Sequence, residues 1–233
     1  MNRLRPAAMR LIDLTVAGAA LPLLALPAVL IALLVRMDSP GPALFRQERV
    51  GRNGRLFRIF KFRTMVKGAE ALGTSVTTGG DPRITAVGRV LRRTKFDELP
   101  QLINVIRGEM SLIGPRPEIP EIVRHYTAEM AEVLNVRPGI TSLASLHLRD
   151  EQEILSRAAD PDRFYLDTLV PLKVDLAMEH ARRDSLFFDL AVLAKTLWMV
   201  TLGRFWPVRE HPRVARFRED AANVSQRKGQ CGE

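Results

Sequence analysis

The chain is almost without cysteine: among 233 residues there is one, Cys231, close to the C-terminus. An internal disulfide and a cysteine-based zinc site are both excluded, which suits a protein facing a reducing cytosol. Histidine is nearly as sparse. His125, His147, His180 and His211 show no metal-ligand spacing, and neither a glycine-rich phosphate loop nor a serine-nucleophile motif is present. Negative charge is in deficit, with 26 acidic residues against 35 basic ones and a formal net charge of +9. That excess points to anionic partners without choosing among nucleic acid, lipid headgroups and phosphorylated substrates. With 46% hydrophobic residues the chain can bury a core, as one domain or two.

Charge is missing altogether from Leu14 to Val35, a run of about 22 residues where ~20 suffice to cross a bilayer. Arg3, Arg5 and Arg10 ahead of it resemble the start of a secretory signal. No small-residue cleavage site closes the run, however, because Leu33-Leu34-Val35-Arg36-Met37-Asp38 follows directly, so the segment is expected to stay attached. Pro22 and Pro27 each remove a backbone donor in its middle and predict a kink. Arginines mark the cytoplasmic side, yet they flank both ends: Arg3, Arg5 and Arg10 before, Arg36, Arg46, Arg49 and Arg52 after. A re-entrant hairpin broken near Pro27 satisfies both flanks better than a straight span does.

Ser39-Pro40-Gly41-Pro42 is a turn that opens the soluble part. Beyond it Arg46, Arg49, Arg52, Arg55, Arg58 and Lys61 recur every third residue, while Phe57, Ile59, Phe60 and Phe62 interleave as in a short β-hairpin turning at Gly51-Arg52-Asn53-Gly54. This series reads either as a solvated basic face or as a surface held against anionic headgroups. More arginines, from Arg83 to Arg93, lead up to the acidic pair Asp97-Glu98. Leu99, Leu102, Ile103, Val105 and Ile106 have helical spacing, so Asp97 or Thr94 is a candidate N-cap. A carboxylate ringed by arginines also suits phosphoryl chemistry, and a helix N-terminus favours both an ionised Asp97 and bound phosphate. In Gly114-Pro115-Arg116-Pro117 two prolines stiffen the backbone around a guanidinium, a good bidentate phosphate ligand. Arg137-Pro138-Gly139 repeats the pattern.

In the C-terminal third, Pro171-Leu172-Lys173 opens a helix, and a largely apolar stretch runs from Ser185 to Phe205-Trp206. Its aromatic residues favour a helix lying in the membrane interface, with a buried core helix as the competing reading for its first half. Asp160-Pro161-Asp162 resembles a glycosyltransferase DxD metal motif, though Asp-Pro is also a common helix start. Residues 207–233 turn polar and are expected to form a flexible basic tail.

From about residue 9 to residue 203 the chain resembles the bacterial sugar transferases acting on polyprenyl phosphate, the monotopic phosphoglycosyl transferases. The resemblance is carried by the proline-interrupted N-terminal segment, Asp38-Ser39-Pro40-Gly41-Pro42 with Phe45-Arg46-Gln47, Phe60-Lys61-Phe62-Arg63-Thr64-Met65, the stretch around Asp97-Glu98, Met110 to Pro117, and Arg137-Pro138-Gly139-Ile140-Thr141. It implies an α+β, mainly helical monotopic membrane protein: a re-entrant helix over residues 1–37, a catalytic domain over 38–206 with a short β-hairpin and interfacial amphipathic helices, and the tail. It implies the inner (cytoplasmic) membrane, with the catalytic domain on the cytosolic face.

The implied reaction has two steps. Asp97 attacks the β-phosphate of a UDP-sugar and releases UMP, and undecaprenyl phosphate then takes the sugar phosphate from the aspartyl intermediate, initiating exopolysaccharide, capsule or O-antigen assembly. Asp97 and Glu98 would hold Mg²⁺, with Glu98 positioning the metal or managing a proton, and Arg92, Arg116 and Arg137 would contact phosphate. The expected partners are the donor, the acceptor and membrane lipids, with no nucleic acid and with homo-oligomerisation left open.

Two departures stand out. Leu26 precedes Pro27 where many members have serine, and Ser142-Leu143-Ala144-Ser145 replaces a Gly-Trp-Ala-Gln type segment. Two other readings compete: a membrane-anchored direct glycosyltransferase using Asp160 and Asp162, and a membrane-tethered nucleic-acid binder using Arg46 to Arg63.

Overall fold

The computed structural model describes residues 4–73, 76–183, 185–201 and 211–217. It is mostly helical, as expected. Helix α1 (Leu4–Asp38) leads into a hairpin of β1 (Leu44–Val50) and β2 (Leu56–Phe62), followed by α2 (Ala86–Thr94), α3 (Leu102–Arg107) and β3 (Ser111–Ile113). Two short helices, α4 (Pro120–Val123) and α5 (Ala128–Ala131), precede β4 (Gly139–Thr141). The chain then runs through α6 (Leu143–His147), α7 (Glu151–Ser156), α8 (Pro161–Phe164), α9 (Val170–Arg183) and α10 (Leu186–Thr201).

The hairpin forms where the sequence places it. Strands β1 and β2 pair antiparallel from Leu44↔Phe62 to Val50↔Leu56. Asn53 (φ 56°) and Gly54 (φ 74°) supply the left-handed residues of the turn, a conformation that Asn and Gly adopt at least cost. Strand β3 pairs parallel with β4, Ser111↔Gly139 and Ile113↔Thr141. The two Gly-Pro motifs therefore meet backbone to backbone: a Cβ on Gly114 would run into the carbonyl of Arg137, and one on Gly139 into the amide of Gly114.

Helix α1 is the one helix among the described residues long and apolar enough to cross a membrane. Helical geometry continues through Pro22 and Pro27, so the expected break is not seen as an interruption of the helix. Packing on both sides of the prolines accounts for this. Ala17, with Leu21 and Leu24, joins one core; Ile31 and Val35, with Ala28, join another formed with Phe62 and Leu91. The opposite face is apolar and open, with Leu23 78% and Leu26 69% exposed, and Leu30 and Leu33 exposed beside them.

Both ends of α1 are tied to the same domain by polar contacts. Arg10 donates to the carbonyls of Val105 (2.6 Å) and Ile106 (2.9 Å), capping the C-terminus of α3. At the other end buried Arg63 donates to the carbonyls of Val35 (3.1 Å), Ser39 (2.7 Å) and Pro40 (2.6 Å), and Asp38 accepts from the Val87 amide (3.0 Å) at the start of α2.

A third core, under α8 and α9, gathers Leu155, Tyr165, Leu169, Val170 and Val174. Helix α10 buries Val192 and Met199 and exposes Phe187, Leu190, Leu197 and Trp198. Of the expected tail, residues 211–217 place Val214 in the first core; the rest of 207–233 lies outside the described residues, as do Phe205, Trp206 and Cys231.

Candidate active site

Helix α2 starts at Thr85, whose hydroxyl accepts from the Gly88 amide (3.0 Å), and ends at Lys95, which takes φ 61°. That left-handed residue turns the chain into a tight 3₁₀ stretch, residues 96–101, carrying Asp97 and Glu98. Helix α3 begins only at Leu102, so neither Asp97 nor Thr94 caps it; the Thr94 hydroxyl donates back to Val90 and Leu91. Residue Asn104 holds this unit against the hairpin. Its Oδ1 accepts from the Phe60 amide (3.1 Å) and its Nδ2 donates to the Arg58 carbonyl (2.8 Å), so a side chain substitutes for a third strand along β2.

This docking brings Lys61 to Glu98. Lys61 Nζ donates to Glu98 Oε1 at 3.2 Å, and Arg116, from the loop after β3, donates to the same oxygen at 2.6 Å and to Oε2 at 3.4 Å. Burial alone would raise the Glu98 pKa, but Arg116 and Lys61 outweigh it and hold the carboxyl well below its usual range. Asp97 behaves in the opposite way. Burial first, and the neighbouring Glu98 charge second, push its pKa up, opposed in part by Lys61, Lys95 and Arg116. Burial likewise pushes Lys61 down to about 8 against the pull of Glu98. The two carboxylates thus have separate environments: Glu98 is saturated by cations, whereas Asp97 Oδ1 is buried with no hydrogen-bond partner. Divergent pKa values in adjacent acids mark a division of roles.

Arg92 donates to Thr64 Oγ1 (2.8 Å) and lies within electrostatic reach of Asp97 and Arg116, so it belongs to the same basin. Arg137 stands apart, its charged neighbours being Arg10, Asp13 and Arg52. Behind Arg116 a second network joins Arg49, Glu118, Lys173, Glu151 and Tyr165: Arg49 lies 3.7 Å and Lys173 3.6 Å from Glu118, and Tyr165 donates to Glu118 at 2.7 Å. A cavity of about 40 Å³ opens between this network and Ser142-Leu143-Ala144-Ser145, lined by Arg116, Glu118, Tyr126, Ser142, Ser145 and Lys173.

Lys61 is the residue that sequence reasoning left out of the site. Its signal lay in the apolar setting Phe60-Lys61-Phe62, unlike the exposed Arg46, Arg52, Arg55 and Arg58 of the same series. Asp160 is used otherwise: it caps α8, accepting from the Arg163 amide (3.0 Å), with Pro161 in the first helical position. Among the described residues no three His, Cys, Asp or Glu side chains converge to hold a metal. Mg²⁺ takes one or two protein carboxylates and leaves further positions to substrate phosphates. The Asp97 carboxylate fits that role; the oxygens of Glu98, already facing Lys61 and Arg116, do not offer it.

A protein with a buried acid pair among converging cations and a helix apolar enough to cross a membrane is the class these features define. The family model for bacterial sugar transferases matches residues 4–203, and the chain belongs to that family. It is 38% identical over 82% of its length to the UDP-N-acetylgalactosamine-undecaprenyl-phosphate N-acetylgalactosaminephosphotransferase of Aeromonas hydrophila, spanning 43% of that protein. To the UDP-glucose:undecaprenyl-phosphate glucose-1-phosphate transferase of Caulobacter vibrioides it is 36% identical over 81% of its length, spanning 67% of that relative. To the exopolysaccharide production protein ExoY of Rhizobium meliloti it is 35% identical over 84%, spanning 87%. The chain thus covers under half of one of these relatives and most of another.

Proposed function

We propose that the protein is a phosphoglycosyl transferase that moves a sugar 1-phosphate from a UDP-sugar to undecaprenyl phosphate and so initiates a surface polysaccharide. The observation that carries the reading is the buried, unpartnered oxygen of Asp97 beside a Glu98 already neutralised by Arg116 and Lys61. An aspartate in that setting is a nucleophile whose raised basicity strengthens attack, while the cations around it receive phosphate. Asp97 Oδ1 bonds to the β-phosphorus of the donor, the bond from that phosphorus to the bridging oxygen breaks, and UMP leaves with the electron pair. A phosphate oxygen of the acceptor then bonds to the same phosphorus and Asp97 is released as carboxylate. Arg116 and Arg92 hold the phosphate oxygens, and Lys61 offsets charge where it accumulates. Mg²⁺, held by Asp97 and the donor phosphates, would neutralise the diphosphate.

The lipid acceptor places the reaction at a membrane, and α1 supports a seat on one side of it. A straight helix of this length reaches ~52 Å, and a crossing helix would carry one end across ~30 Å of hydrocarbon away from the domain. Instead Arg10 and Asp38, near the two ends, both contact the same domain, with the open apolar face between them. This supports entry and exit by one face, with arginine-rich flanks on the cytosolic side of the inner membrane. Exposed Phe187, Leu190, Leu197 and Trp198 of α10 suit the same interface.

The test is nucleotide release from a panel of UDP-sugars, with detergent-solubilised protein, Mg²⁺ and undecaprenyl phosphate. UMP should appear with one donor and fall to background in Asp97→Asn. UDP instead of UMP, or UMP release indifferent to the substitution, would overturn the mechanism.

A further inference from the structure

On the face of α1 that meets the domain, between Met9 and Ala17, sits one fully buried carboxylate, Asp13. Its Oδ1 accepts from Ser111 Oγ (3.0 Å) and from the Leu112 amide (2.8 Å), while its Oδ2 is buried without a hydrogen-bond partner. A half-satisfied buried carboxylate is a poor way to gain stability, since an apolar residue of similar size does as well or better. What it secures is position.

The position it secures is a bend. From residue 96 to residue 117 the chain runs up through the acidic pair and α3, turns at Gly108, and returns through β3 to Arg116. Arg10 grips one side of the bend, at the end of α3, and Asp13, one helical turn further along α1, grips the other, at the start of β3. At the open end the two arms are closed by the ion pair of Arg116 with Glu98, 2.6 Å apart. Strand β3 is only three residues long, and its bonds to β4 run on through Gly114 (amide to the Thr141 carbonyl, 3.0 Å) and Pro115 (carbonyl from the Gly139 amide, 2.9 Å), so a shift at Ser111 moves this stretch and Arg116 as one piece.

We propose that Asp13 is a positioning residue for Arg116: seated α1 fixes β3 through Asp13, and thereby sets Arg116 against Glu98 and the incoming phosphate. The phosphate part rests on the function proposed above; the placement of Arg116 does not.

The protein in lipid nanodiscs with Mg²⁺ is compared with Asp13→Ala, Asp13→Asn, Arg116→Ala and the double variant Asp13→Ala/Arg116→Ala. Hydrogen exchange and UDP affinity by calorimetry are the two readouts. Asp13→Ala should speed exchange over residues 96–101 and 111–117 with 151–164 unchanged, and weaken UDP about ten-fold, the loss of one charge-assisted contact. Asp13→Asn keeps an oxygen for Ser111 and Leu112 and should restore both readouts. In the Arg116→Ala background Asp13→Ala should cost nothing further, because the two act through one contact. Exchange changes confined to α1 and Ser111, or losses in UDP affinity that simply multiply, would overturn the proposal. If Asp13→Ala does not fold, Ser111→Ala removes one of the two donors and should give the same pattern at lower amplitude. If the wild type does not bind UDP, the proposed function fails, and the exchange pattern still decides whether Asp13 places Arg116.

Discussion

Glu98→Gln should move the pH optimum of UMP release toward acid rather than merely lower its peak. Two limbs bound the profile: Asp97 must be ionised to attack, and Lys61 must be protonated to offset charge. The acid limb lies above the ordinary aspartate range because burial and Glu98 raise Asp97; the alkaline limb lies near 8, where Lys61 loses its proton. Removing the Glu98 charge acts on both groups with the same sign. Asp97 loses a neighbouring anion, so its pKa falls and the acid limb moves down. Lys61 loses the carboxylate 3.2 Å away that opposes the effect of burial, so its pKa falls below about 8. An opposite charge this close is worth about 1–3 pKa units, so the alkaline limb should drop by about that much. The assay is kcat/KM for UMP release across about pH 5 to 9.5, with the wild type alongside. General damage to the site lowers the bell without shifting it. An alkaline limb that stays near 8 in Glu98→Gln would refute the assignment of that limb to Lys61.

Three further outcomes follow from the geometry. Asp97→Asn should abolish UMP release yet keep UDP binding within a few-fold, measured by calorimetry, since the proposed phosphate contacts lie on Arg92 and Arg116. Gly114→Ala should cost about 1–3 kcal/mol, because the new methyl meets the Arg137 carbonyl and neither backbone can withdraw; thermal unfolding should fall by about 2–4 °C per kcal/mol. Leu26→Lys, on the open face of α1, should weaken vesicle binding about 10²-fold, in line with about 2.5–3.5 kcal/mol for a lysine at the centre of a membrane helix. Flotation with vesicles reads this directly, and unchanged flotation would remove that face from the membrane.

The hairpin was legible because Asn53-Gly54 states its own turn chemistry and the flanking aromatics alternate. The acidic pair was legible by composition, yet its surroundings were not. Helical spacing from Leu99 suggested a capped helix, whereas the left-handed Lys95 and the 3₁₀ stretch lift Asp97 out of the cap and leave its oxygen free. Lys61 looked like one more member of a basic series; only the bond from Asn104 to β2, a contact 44 residues apart, shows that this lysine faces Glu98. Arg137 repeats the motif of Arg116 in sequence, but the parallel pairing of β3 with β4 puts its backbone, rather than its charge, next to the site. The prolines of α1 report lost backbone bonds and say nothing about the packing that keeps the helix continuous.

The apolar helix at the N-terminus is as much a piece of the folded interior as it is a tether. Ala17 belongs to one core and Ile31 and Val35 to another, while Asp38 caps α2 and Arg63 depends on the carbonyls of Val35, Ser39 and Pro40. Trimming the first 38 residues to obtain a water-soluble protein would therefore open two interiors, uncap α2 and strip one of three carbonyls from a buried guanidinium. Solubility is better sought by recolouring the outward leucines, Leu23, Leu26, Leu30 and Leu33, with polar side chains, which leaves every inward contact of the helix where it is.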